Sequence, residues 1–197
     1  MDLVVELIFP TVYTAIGAVI GGMSAYYIAK RNFSINRRDE GKAYVSLLSI
    51  YASAVAAQCS DVQEFLAGWN PKPDNLDSIS VLREKGRLLD NEMSSFVKYW
   101  SKYKETIQHC RLKPVCKNNN QREQYAHIVE RCESICFKIS CINTCLDEMQ
   151  KERKENDGLS AESLLKYKNN LLQLLGLLKD ECTALNIPVS KLGIQSS

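Results

Sequence analysis

The 197-residue chain carries 25 Lys and Arg against 23 Asp and Glu, so its net charge of +2 gives no basic field of the kind nucleic-acid binding needs. Nine glycines and five prolines are too few for a turn-rich all-β fold and suit long helices. With only two histidines and no G-x-S-x-G, G-x-x-x-x-G-K or G-x-G-x-x-G motif, the sequence predicts a protein that is not an enzyme and takes no cofactor.

From Leu7 to Ala29 no residue is charged. At the helical rise this stretch is roughly 34 Å long, enough to cross a hydrocarbon core about 30 Å thick. A transmembrane helix is therefore expected over 7–29, with 1–6 as a short extracytoplasmic N-terminus. A cleaved signal peptide would open with basic residues and have a shorter apolar run, whereas Asp2 and Glu6 precede this one. Gly17, Ala18, Gly21, Gly22 and Ala25 form overlapping small-xxx-small pairs, the pattern that lets two spans approach closely and self-associate.

Lys30, Arg31, Arg37, Arg38 and Lys42 follow the span and no Lys or Arg precedes it. The positive-inside rule then places everything after the span in the cytoplasm, with a bacterial inner membrane the expected location. Residues 30–37 read as a basic juxtamembrane linker. In a reducing cytosol the eight cysteines are expected as free thiols.

Beyond the linker, apolar residues recur at steps of three and four in four successive stretches. The first, about 38–69, presents Tyr44, Leu48, Tyr51, Val55, Val62, Phe65 and Trp69, widened by Val45, Ala52, Cys59 and Leu66. The second, about 76–111, runs from Ile79 through Leu89, Met93, Phe96, Trp100 and Tyr103 to Cys110, with Gly86 on the stripe as a point of close helix approach. The third, about 121–155, carries Tyr125, Ile128, Cys132, Ile135, Ile139, Ile142, Leu146 and Met149. Ser160 is a natural N-cap for the fourth, which carries Tyr167, Leu171, Leu174, Leu175, Leu178, Cys182 and Leu185 before Pro188 stops it. The expected fold is all-α: the span, then an antiparallel up-down bundle of about four long helices over 38–187, then a flexible tail over 188–197. In such a bundle the turn near 112–120 returns to the bilayer, where Arg111, Lys113, Lys117 and Arg122 would join Lys30, Arg31, Arg37 and Arg38 as a basic membrane-facing surface.

Cys132, Cys136, Cys141 and Cys145 form C-x3-C-x4-C-x3-C on one helix. The second pair lies about half a turn from the first, so the four thiols cannot surround one ion, and no metal site is expected. The Glu-x-x-His pairs of di-iron bundles are missing. Leu171 to Leu178 is apolar around more of its girth than a bundle helix needs, which marks either the most buried helix or a subunit contact through Leu172 and Leu177.

These features favour a membrane-anchored interaction, scaffold or regulatory protein that self-associates and binds a cytosolic or membrane protein partner. A small membrane-acting effector, such as a toxin or anti-phage component oligomerising through its glycine-rich span, is the first alternative. A cysteine-based metal or redox sensor is the second.

Overall fold

The computed structural model describes residues 2–69, 76–111, 118–155 and 159–193, and of residues 2–21, 76–80, 82 and 83 only the backbone. Among the described residues there are four helices and no strand: α1 (Asp2–Gly68), α2 (Leu76–His109), α3 (Asn119–Glu155) and α4 (Ala161–Lys191). The stretch expected to cross a membrane forms the start of α1, and α1 is a helix long and apolar enough to cross one.

Helix α1 does not pause after its apolar start. The residues expected as a linker, 30–37, are helical, and one helix of 67 residues runs from Asp2 to Gly68. The segment holds neither glycine nor proline, so nothing in it breaks a helix. Two cation–π pairs at i,i+4 spacing support it: Lys30 over the Tyr26 ring at 5.7 Å and Arg37 over the Phe33 ring at 5.1 Å. From Gly22 to Glu40 the helix is almost entirely exposed, and from Gly22 onward Gly41 is the first buried position.

From Gly41 onward α1 packs against α2 on one side and α4 on the other; α3 packs on α4 and makes far fewer contacts with α2. Residue pairings give the directions. Tyr44 stacks on Tyr103 and Tyr51 packs at a tilt against Tyr99, so α2 runs back along α1. Ser49 bonds Asn186, and Gln63 bonds the Leu172 carbonyl, so α4 also runs opposite to α1. Arg131 meets Glu181, and Glu152 meets Tyr167, which sets α3 against α4.

The core lies where the apolar stripes converge: Val45, Leu48, Ala52, Val55 and Cys59 of α1, Met93, Phe96 and Trp100 of α2, Ile128, Cys132 and Ile135 of α3, and Leu175, Leu178 and Cys182 of α4. The aromatic members of the first stripe, Tyr44, Tyr51, Phe65 and Trp69, are only half-buried, and Tyr44, Tyr51 and Trp69 edge this core.

Two expectations about chain breakers change. Pro188 does not stop α4; it lies inside the helix, buried, and the helix runs on to Lys191. A proline in the last turn forfeits one hydrogen bond, and the buried side chains of Val189 and Leu192 hold that turn against the core. Gly193, at φ 72°, donates its N–H to the Ser190 carbonyl and closes the helix in the left-handed conformation that glycine adopts without strain. The packed body therefore reaches Leu192, beyond the expected boundary at 187. Gly86 is not a point of close approach, since a side-chain carbon built on it meets nothing within 4 Å. That role belongs to Gly41, against Cys110. Ser160 does cap α4, accepting from the Ser163 N–H at 3.0 Å, with Glu162 in the first turn.

Candidate functional surfaces

The basic stretch that follows the apolar start of α1 adjoins one end of the helical body. Lys30, Arg31 and Arg38 are exposed and Arg37 half-buried. The Arg37 carbonyl accepts a long bond from the Cys110 thiol at 3.6 Å, which fixes the end of α2 level with Arg37. Arg111 and Arg122 are brought together there: the Arg122 Nε donates to the Arg111 carbonyl at 2.8 Å. They line an open cleft of about 590 Å³ with Gln108, Asn119, Glu123 and Ala126. Lys113 and Lys117 lie outside the described residues. Within the apolar start of α1, Gly22 and Ala25 are exposed, and a carbon added at Gly22 meets nothing. Gly17, Ala18 and Gly21 are helical, their side chains outside the described residues.

The two leucines singled out on α4 separate. Leu172 is half-buried against the core and its carbonyl accepts from Gln63, whereas Leu177 is 45% exposed. Phe137 on α3 is 67% exposed and borders a shallow groove between α3 and α4 lined also by Cys141, Cys145, Gln173 and Leu174. Phe137 falls opposite the stripe of Ile135 and Ile139, so periodicity puts it outward, but only the packing of α3 on α4 puts it at the edge of a groove.

The cysteines part in the same way. Cys59, Cys132 and Cys182 are buried in the core shared by α1, α3 and α4, with Cys136 packed against it, while Cys141 and Cys145 line the groove. Burial pushes the Cys59 thiol up to about 12, against a weaker lowering by Lys179. Burial likewise raises Cys136 to about 11 and holds Cys132 and Cys182 well above the usual thiol range. These groups are neutral thiols at physiological pH, poor nucleophiles and poor metal ligands. Among the described residues no three His, Cys, Asp or Glu side chains converge on a point that would hold a metal ion. Cys116, which would complete a looser His/Cys grouping with His109, Cys110 and His127 at one end of the bundle, lies outside the described residues.

A tyrosine cluster that the periodicity did not reveal sits between α1 and α2. Tyr103 stacks on Tyr44 with centroids 4.0 Å apart, and Tyr99 bridges Tyr103 at 4.5 Å and Tyr51 at 5.2 Å. Tyr99 lies off the core stripe in sequence; only the side-by-side placement of α1 and α2 gathers these rings.

Comparison with known proteins finds no matching family model, no similar curated protein and no similar solved structure.

Proposed function

We propose that this chain is a membrane-anchored, non-enzymatic interaction protein whose antiparallel up-down helical bundle works at the cytoplasmic face of a bacterial inner membrane. The observation that supports it is the unbroken α1: the charge-free stretch 7–29 and the core residues Val45 to Leu66 belong to a single helix. A flexible linker would let the body tumble; a continuous helix holds it upright at a set height and azimuth. Such a mounting suits a protein that presents a surface to partners in the same membrane.

The height is informative. From Ala29 to Arg37 the helix rises about 12 Å, beyond a headgroup layer roughly 5–8 Å deep on each side. The end of the body bearing Arg111 and Arg122 then stands just above the headgroups, within about one Debye length of an anionic leaflet.

The test is extraction of the full-length protein from membranes. The wild-type chain is expected to stay in the pellet under alkaline carbonate, and an Ile16→Lys, Ile20→Lys variant to move to the supernatant. A C-terminal tag should be cleaved by protease only from the cytoplasmic side. Release of the wild-type protein by carbonate overturns the anchored reading, and tag cleavage from the outside overturns the orientation.

A further inference from the structure

Helix α1 is uncharged around its whole circumference from Ala43 to Ser60, as befits a helix covered on every side. The body covers only part of it. Val45, Leu48, Ala52, Val55 and Cys59 are buried, but Ala43, Leu47, Ile50, Ser53 and Ala57 are exposed, Leu47 and Ile50 to 42% and 45%. The other helices place charges on their outer sides, such as Glu84, Arg87 and Asp90 of α2, Glu130 and Glu133 of α3, and Lys166 and Asp180 of α4. Within the body, this charge-free run of 18 residues exceeds the ten from Asn169 to Leu178 of α4, where Leu177 is also exposed.

Register connects this side to the apolar start of the helix. At 100° per residue, eighteen residues make five full turns. Position 43 therefore stands above 25, position 54 above 36 and 18, and position 57 above 39 and 21. Because α1 is continuous, Ala43, Leu47, Ile50, Ala54 and Ala57 extend the side that carries Ala18, Gly21 and Ala25. Asn32 and Asn36 lie between the two apolar sections on that same side.

We propose that this side of α1 is a parallel, in-register interface with a second copy of the chain. The proposal rests on the anchored reading above. Whatever covers the side must be a helix rising from the same membrane, with small residues in the bilayer, amides at its surface and branched apolar residues level with the body. A second α1 supplies all of these at matching heights about a two-fold axis along the membrane normal. Ala43, Leu47, Ile50, Ala54 and Ala57 alternate steps of four and three, the knobs-into-holes spacing. Facing asparagines favour a fixed register. Two acids, Asp39 and Asp61, fall on this side and bound the apolar run, and Asp39 lies one turn from Lys42, which offers it an opposite charge across the pair. From position 25 to 57 the strip is about 48 Å long and some 10 Å wide on each copy, on the order of 1,000 Å² in all, the least that a specific interface buries.

The experiment measures the mass of the full-length protein in mild detergent, with helicity by circular dichroism, for wild type, Leu47→Lys plus Ile50→Lys, and Phe137→Lys. A dimeric wild type, a monomeric Leu47/Ile50 variant of unchanged helicity and a dimeric Phe137 variant are expected. A photoreactive residue at position 50 should also link two copies in intact membranes, which keeps the test decisive if the lysine variant unfolds. Two alanines inserted after Ser34 turn the span by about 200° relative to the body and should weaken the dimer by tenfold or more, whereas a seven-residue insertion should spare it. A monomeric wild type with no cross-link at position 50 overturns the proposal and leaves the anchored reading intact. So does a dimer broken only by Phe137→Lys. Release by carbonate would overturn the anchored reading instead, and the mass of the released protein still decides whether α1 pairs.

Discussion

Gly41 of α1 and Cys110 at the end of α2 touch so closely that a side-chain carbon on Gly41 would overlap the Cys110 sulfur. The thiol is itself buried and bonded to the Thr106 and Arg37 carbonyls, so it has little room to retreat. This contact fixes where the body begins along α1.

Gly41→Ala is therefore expected to destabilise the body by about 1–3 kcal/mol, the usual range for overpacking a tight contact. Gly86→Ala should do the reverse, adding up to about 1 kcal/mol, because alanine favours a helix and its carbon meets nothing there. Thermal melts of the two variants beside wild type check both signs at once.

Tyr99 offers a second stability test. Its hydroxyl is buried without a hydrogen-bond partner among the described residues, although the ring packs against Tyr51 and Tyr103. Tyr99→Phe keeps the ring and removes the desolvated oxygen, so it should be neutral or stabilise by about 1 kcal/mol. A loss of more than that in chemical denaturation would mean that the hydroxyl is satisfied in solution.

The alkaline limb of stability follows from the thiols and tyrosines. Cys59 rises to about 12 and Cys136 to about 11, and Tyr99, chiefly through burial, to about 12. Folded values above unfolded ones mean that their contribution is complete below about pH 9 and is lost as pH climbs toward 11–12. The melting temperature should be flat from pH 7 to 8.5 and fall above 9, and Cys59→Ala should flatten that fall. Native protein at pH 7.5 should leave Cys59, Cys132 and Cys182 unmodified by a thiol reagent that reaches Cys141.

The acid limb has a different origin. Burial alone would raise the Glu181 carboxyl, but hydrogen bonds from Arg131 and Ser134 and the charges of Arg131 and Lys138 outweigh it and hold the group below its ordinary value. Arg131 lies 2.7 Å away and Lys138 3.7 Å away. Its contribution is present above about pH 4.5 and is lost as pH falls through the lowered value. Glu181→Gln should cost about 1 kcal/mol at pH 7 and little at pH 3, measured by denaturant titration at the two pH values.

The sequence by itself determined the helices and their inward sides. Steps of three and four placed Leu48, Phe96, Ile128 and Leu178 in the core because a helix repeats every 3.6 residues whatever surrounds it. Ser160 was legible as a cap because that chemistry is local. Tertiary structure decided what depends on neighbours. Pro188 stays within α4 because Val189 and Leu192 find a core to bury in, a gain no local rule contains. Residues 30–37 carry charges that read as a linker, yet no breaker interrupts them, so the helix beneath passes straight through. The bare side of α1 escaped the sequence for a related reason: Leu47 and Ile50 look like core until α2 and α4 take the other sides. Periodicity says that a helix has an apolar side; only packing says which apolar side is left over.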